Sequence, residues 1–312
     1  MAGFDEAFRT VVISKPAKIS LKNNNLCIDN EDGVAMLLLK DILCIVLESQ
    51  QVTITSALIS KLADAKVVLL SCDDSHNPNG IFFSYLGHYQ SSGVIRYQID
   101  LSKHTKAILW QKIIKQKVQN QAKLLAQKDI NTAKKLIYLS KTVKLGDATY
   151  VESNAAAIYF PSLFYKGFVR DDLCGINSAL NYGYSIVRAT ITRALAISGL
   201  NPNLGIKHDN AYNPFNLADD IIEPYRPFVD KVVYKMHNEN LLDDFLNKEN
   251  KHDLLSILSQ KTIIDNKSYP ISRAISKTIQ SLTACIKGES KELKLPIFGE
   301  EYGEIYESDC DV

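Results

Sequence analysis

Four side chains in this sequence could together hold a divalent cation: Glu152, His208 and Glu223, with Asp220 three residues before the last. Carboxylates and an imidazole are donors of the kind that bind Mg²⁺ or Mn²⁺ beside a phosphate. His208 follows the break Asn201-Pro202-Asn203-Leu204-Gly205, so it stands on a loop or at a helix start rather than on an apolar helical face. Asp220 and Glu223 have a spacing that puts both on one face of a helix. Two like charges so placed need an offset, which a cation, water or Arg226 at the next i+3 position could supply. Glu152 also has a plainer reading. Three residues after Thr149, it fits a capping box that closes the start of its own helix.

A second group of polar residues is spaced for one helical face. Asn177, Asn181, Tyr184 and Arg188 fall at i, i+4, i+7 and i+11, opposite the apolar Leu180, Val187, Ile191 and Ala194. A stripe of Asn, Tyr and Arg without Lys or Glu suits a phosphate or substrate better than plain solvent. The run Cys72-Asp73-x-x-His76-x-Pro78-x-Gly80 offers two zinc donors with no second pair, and reads as a structural loop.

The elements that must position these residues divide the chain in two. The first part is rich in short β-branched and apolar runs: 8–13, 18–21, 26–28, 34–39, 42–47, 52–54, 67–70 and 81–83, with Asn23-Asn24-Asn25 as a turn. Leu58 and Leu62 mark a helix over 55–62 between two of those strands, which predicts a strand–helix–strand unit. From about Ser102 the period becomes helical. Ile113, Ile114, Val118, Ala122 and Leu125 mark one long amphipathic helix, and further helices are expected over 132–139, from 149, and over 178–198, 217–236, 254–260 and 271–286. The expected class is α+β: a small β-rich domain over 1–90, a helical domain over 91–290 and an acidic tail over 291–312.

At 312 residues, with 46% apolar and 23% charged residues, the chain can bury a sizeable core. Six scattered cysteines and no signal-like segment predict free thiols and a cytoplasmic protein. The most apolar run, Val34 to Leu47, is too short to span a bilayer, which argues against a membrane role. The net charge of +1 conceals an uneven distribution. Between Arg96 and Lys144 there are twelve Lys or Arg residues against two Asp, whereas the residues from Glu300 onward carry six acids and no base. The basic stretch is either a solvated helix face or the footprint of a polyanionic partner.

The sequence resembles the CRISPR adaptation integrases, the family of CRISPR-associated protein one, in its type II form. The resemblance is carried by Asn177-x-x-x-Asn181-Tyr182-Gly183-Tyr184-x-x-x-Arg188-Ala189, by Gly199-Leu200-x-Pro202-x-Leu204-Gly205 with His208, and by Asn216-Leu217-x-x-Asp220-x-x-Glu223-Pro224-x-Arg226-Pro227. Glu152-x-x-Ala155-Ala156-x-x-Tyr159-Phe160 is similar to the family's first acidic motif, and Trp110-x-x-Ile113-x-x-x-Lys117-x-x-Asn120-Gln121 to a basic helix. The match runs in consistent order from about residue 8 to about residue 290.

The resemblance implies a β-rich dimerisation domain, a helical catalytic domain and joining of the 3′-hydroxyl ends of short DNA duplexes to a CRISPR repeat. It implies Glu152, His208 and Glu223 as catalytic metal ligands for Mg²⁺ or Mn²⁺, with Asp220 a less certain fourth. It also implies partners: double-stranded DNA, a second copy of the chain, the small CRISPR-associated protein two and, in type II systems, the effector nuclease. Lys112, Lys115, Lys117, Asn177, Asn181, Tyr184, Arg188 and Arg226 are the expected DNA-binding residues. The rival readings are a non-catalytic DNA-binding scaffold of the same fold and a metal-dependent hydrolase of a small phosphorylated substrate, which would not need the basic stretch.

Overall fold

The computed structural model describes residues 9–74, 78–84, 88–243 and 246–299; His76 and the acidic tail from Glu300 lie outside the described residues. Its contacts divide the chain into two units. The first runs to Ile95 and takes in Thr192–Leu200, and the second comprises Arg96–Ile191 and the chain from Asn201 onward.

The first unit holds the β-rich part. Strands β1 (Arg9–Ile13), β2 (Ala17–Lys22), β3 (Asn25–Asn30), β4 (Gly33–Leu38), β5 (Ile42–Leu47), β6 (Val52–Ile54), β7 (Val68–Cys72) and β8 (Pro78–Phe82) form two four-stranded sheets. One has the order β1-β5-β7-β8, with β1, β5 and β7 parallel and β8 antiparallel. The other has the order β4-β3-β2-β6, and Asn23 and Asn24 turn the chain between β2 and β3 at positive φ. β5 is buried along almost its whole length, as a continuous apolar run requires, and anchors the core with Ile19, Leu26, Leu58 and Leu62. Helix α1 (Ser56–Asp64) is capped by the Thr55 hydroxyl, which accepts from the Leu58 N–H. The expected strand–helix–strand order is present as β6, α1 and β7, with the two strands in different sheets. β6 pairs with β2 and β7 with β5, so α1 passes between two sheets instead of crossing over within one.

The second unit is mainly helical. It contains the last turn of α2 (Ser91–Ile99), a helix that the sequence reading missed, then α3 (Lys103–Leu125), α4 (Ile130–Thr142) and α5 (Val151–Leu163). Next come α6 (Gly175–Ile197), whose last turns belong to the first unit, α7 (Asn216–Ile222), α8 (Arg226–Asn238), α9 (Lys248–Leu255) and α10 (Ile271–Ile286). Strands β9 (Lys261–Ile264) and β10 (Lys267–Pro270) form a hairpin that was also missed. α3 is the organising element: Leu109, Trp110, Ile113, Ile114, Val118 and Leu125 are buried, and its N-terminus is capped by Ser102. The helix expected over 217–236 is broken at Glu223–Tyr225 into a 3-10 turn, because Pro224 and Pro227 cannot supply backbone donors. α6 and α8 approach closely at Gly183, where a Cβ would lie 2.5 Å from Val229 Cγ1. Among the described residues no helix is long and apolar enough to cross a membrane.

Candidate functional site

Glu152 stands at the first turn of α5, entered through Gly146, Asp147 and Tyr150, all at positive φ. In this turn the buried Asp147 carboxylate accepts from the N–H groups of Val151 at 2.9 Å and Glu152 at 3.1 Å. Asp147 therefore caps the helix, which corrects the capping box expected from Thr149 and Glu152. The Glu152 side chain is released for other work, and its Oε1 accepts from Lys117 Nζ at 2.7 Å.

Lys117 projects from α3 and is only 8% exposed. Its ammonium also lies 2.5 Å from Glu223 Oε2, so one buried cation joins two carboxylates from separate segments. Glu223 Oε1 accepts from Arg226 Nε at 2.8 Å. Burial opposes ionisation of Glu223, but Arg226 and Lys117 outweigh it and hold the carboxyl down at about 2. Burial likewise works against the Lys117 charge, and the Glu223 and Glu152 carboxylates more than compensate, raising its pKa. Arg226 is steadied from behind, with its guanidinium 4.5 Å from the centre of the Tyr184 ring. The Tyr184 hydroxyl donates to the fully buried Asp230, which also accepts from Tyr159 at 2.9 Å. Burial pushes the Asp230 carboxyl up to about 6, against the pull of the two hydroxyls.

Asp220 is bonded quite differently. It is fully buried and accepts from the N–H groups of Ile206 at 2.5 Å, Lys207 at 3.1 Å and His208 at 3.1 Å. It also meets His208 Nδ1 at 2.8 Å. Gly205 makes this turn possible, because a Cβ there would lie 2.1 Å from the His208 carbonyl oxygen and 2.9 Å from Asp220 Oδ2. Gln98 ties the approaching loop at Asn201 and Leu204, and Lys106 donates to the Gly205 carbonyl at 3.1 Å. The His208 ring, exposed, stands edge-on to Trp110 with centroids 5.7 Å apart. Its pKa is raised, chiefly by the bond to Asp220.

The expected metal set thus resolves into two linked pieces, Glu152–Lys117–Glu223 and His208–Asp220. Among the described residues no three His, Cys, Asp or Glu side chains form a ready cluster of ligands. The donor chemistry nonetheless suits Mg²⁺ or Mn²⁺. With Nδ1 facing Asp220, Nε2 is the nitrogen left for coordination, and an imidazole held through its other nitrogen by a carboxylate is a usual arrangement for a metal ligand.

The expected DNA-binding residues separate by burial. Asn177 is 4% exposed, and its amide nitrogen donates to the carbonyls of Val169 and Asp172 at 2.8 Å. Tyr184 is 7% exposed and turned to Asp230, and Lys117 lies inside the carboxylate pair. These three therefore do not form a solvent-facing stripe. Helical periodicity identified a polar seam but could not show that Arg170 and Asp230 fill it from within. Asn181 and Lys115 are exposed, and Arg188 is partly so, 4.9 Å from the Phe215 ring centre and 3.7 Å from Asp219. Lys112 is half-buried and donates to the Lys291 carbonyl at 2.6 Å. Asp147 and Asp230 were missed altogether. The Asp147 role had a faint signal in Gly146 beside it, and that of Asp230 had none.

Residues 10–267 match the family model described as CRISPR associated protein Cas1. The chain is 35% identical over 292 residues to the CRISPR-associated endonuclease Cas1 of Neisseria meningitidis serogroup C, spanning 93% of this chain and 96% of that protein. It is 25% identical to a CRISPR-associated endonuclease Cas1 of Francisella tularensis subsp. novicida, over 87% of this chain and 93% of that one. Among solved structures, a casposase bound to integration product superposes with a TM-score of 0.77 at 19% identity, covering 95% of both chains. A Cas1 protein from Thermotoga maritima gives 0.76 at 18% identity, covering 93% of this chain and 99% of that one, and shows the same fold. The chain belongs to the Cas1 family of CRISPR-associated proteins.

Proposed function

We propose that this protein is a divalent-metal-dependent DNA integrase and endonuclease that joins the 3′-hydroxyl ends of a short duplex to a CRISPR repeat. The observation that carries this reading is the pairing of His208 with the buried Asp220, together with Glu152 and Glu223 meeting at one buried lysine. Glu152, Glu223 and His208 Nε2 would hold Mg²⁺ or Mn²⁺. Asp220 fixes the ring by accepting at Nδ1 and so acts as a positioning residue rather than a fourth ligand. A divalent ion there supplies charge neutralisation at the scissile phosphate for an in-line displacement.

The protein's own residues do the remainder. Asp220 and Gly205 fix the orientation of the imidazole, Arg226 aligns Glu223, and the low exposure of Glu223 and Lys117 keeps bulk water from that side of the site. No covalent enzyme intermediate is needed, since the attacking group is the 3′-hydroxyl of the donor strand.

The names of similar proteins support the same reading. Relatives are called endonucleases, and solved structures include a casposase on its integration product, a Cas1–DNA complex and an assembly with Cas2. Double-stranded DNA, the small Cas2 partner and, in a type II setting, the effector nuclease are the proposed partners. Homodimerisation is supported by β4, which exposes Val34, Met36 and Leu38 at alternate positions of one strand face. A non-catalytic DNA-binding scaffold is the second reading, favoured by the ion pairs that Lys117 and Arg226 already give the two glutamates.

Strand transfer on a gel separates the two. A labelled duplex with free 3′-hydroxyls is mixed with a supercoiled plasmid carrying a repeat, with the small partner present, in Mn²⁺ or EDTA. Metal-dependent joining that falls at least a hundredfold in His208→Ala is expected. Joining that survives the substitution overturns the ligand role of His208, and DNA binding without joining by either protein favours the scaffold.

A further inference from the structure

Lys117 is unusual among the lysines of the basic helix. Its neighbour Lys115 is exposed, whereas the Lys117 ammonium is buried between two carboxylates at 2.7 and 2.5 Å. These carboxylates come from the first turn of α5 and from the 3-10 turn before α8, two segments that both pack on α3, and the Lys117 ammonium lies between them. Both are also the proposed ligands of a divalent ion. The geometry points to Lys117 as a displaceable internal counter-ion: the ammonium holds Glu152 and Glu223 at ligand spacing, and a divalent cation binds them only by driving it out. This inference rests on the metal-site reading given above.

The physical argument is one of charge and space. Lys117 and Arg226 already balance Glu152 and Glu223, so the cluster is neutral as it stands. A divalent ion bound to both glutamates would lie within a few ångströms of the ammonium, in a setting with little water to screen them. Two cations cannot share that position. Arg226 holds the far oxygen of Glu223 and is pinned over Tyr184, so it stays in place. Lys117 has a flexible four-carbon stem, and among the described residues no aromatic ring packs against its ammonium, so it is the group that can turn away. A lysine that kept its place beside a bound ion would instead stay buried against both carboxylates when the ion is added.

The test is Mn²⁺ binding, read as loss of the free-ion electron paramagnetic resonance signal, in wild type, Lys117→Met and Lys117→Arg. Tighter binding by Lys117→Met, with the apparent Kd at least tenfold lower, is expected, and Lys117→Arg should remain near wild type. Equal or weaker binding by folded Lys117→Met overturns the inference while leaving the metal site standing. Absence of binding by wild type and both variants overturns the metal-site reading and the inference with it. A second measurement needs no variant. Wild type is treated with an amine-acylating reagent with and without Mn²⁺, and Lys117 modification is normalised to that of Lys115 by mass spectrometry. A severalfold rise at Lys117 on adding Mn²⁺ is expected, and unchanged labelling in protein that binds Mn²⁺ overturns the displacement.

Discussion

Asp220 and Glu223 lie three residues apart, both almost wholly buried, and the chain has answered the same problem of two neighbouring negative charges in opposite ways. Asp220 is surrounded by donors that cannot leave: three consecutive backbone N–H groups and an imidazole. Glu223 is surrounded by two side-chain cations, Lys117 and Arg226. A carboxylate fixed by backbone is a structural anchor, because its partners move only if the loop unfolds. A carboxylate held by side-chain ammonium and guanidinium groups can exchange one cation for another. Spacing alone made the two residues equivalent, and only their partners distinguish anchor from ligand.

The largest effect that could break this contrast is at the anchor. Asp220→Ala would leave three buried N–H groups without acceptors and is expected to destabilise the protein by roughly 3–5 kcal/mol in chemical denaturation. Asp220→Asn should recover only part of this, because an amide offers one acceptor oxygen and adds donors facing donors. A loss below about 1 kcal/mol in Asp220→Ala would mean that the Gly205–His208 loop does not depend on the carboxylate.

Exchange at Glu223 makes a sharper prediction. Glu223→Gln alone leaves Lys117 and Arg226 buried with one carboxylate between them, and is expected to cost about 3 kcal/mol. Removing the opposing cation as well should restore much of it, so that the double variant Lys117→Met/Glu223→Gln is more stable than the additive sum by at least 1 kcal/mol. Additive losses would show that the two groups do not feel each other and would erase the distinction from Asp220.

The sequence shows why this contrast was hard to see in advance. Most of the β-strands and the long helices could be read from alternation and helical period, since β5 and α3 bury continuous or one-faced apolar runs. The hairpin of β9 and β10 could not, because each strand has four residues, and α2 could not, because its apolar face is weak. Within the site, His208, Asp220, Glu152 and Glu223 stood out by residue type. What periodicity could not give was partnership across long separations: Lys117 with Glu152, 35 residues on, or Tyr184 with Asp230, 46 residues on. Spacing alone places both in contact with solvent, because a polar residue at a regular interval looks the same whether water or a buried partner meets it.

Asp230 offers a smaller but cleaner test of such hidden partnership. Its carboxyl is raised from 3.8 to about 6, so the folded protein binds this proton more tightly than the unfolded chain. Stability from this group is therefore greatest at low pH and is lost as pH rises through about 6. Between pH 7.5 and 5.0 the wild type should gain about 1 kcal/mol relative to Asp230→Asn, measured by parallel denaturation of the two proteins. A gap that does not change with pH would mean that Asp230 titrates as an ordinary carboxyl and that the two tyrosine hydroxyls do not sit on a strained charge.

The smallest effect concerns the outward side of α3, where Lys115 faces solvent two residues before Lys117 turns inward. Lys115→Gln should weaken duplex DNA binding a few-fold on every sequence alike and lower the slope of log affinity against log salt by about 0.9, the value for one lost phosphate contact. Because Lys117 is neutralised inside the carboxylate pair, Lys117→Met should leave that salt slope unchanged in EDTA. Equal slopes lost by both substitutions would place the Lys117 ammonium at the DNA backbone, and the division of α3 into an outward face for DNA and an inward face for the site would fail.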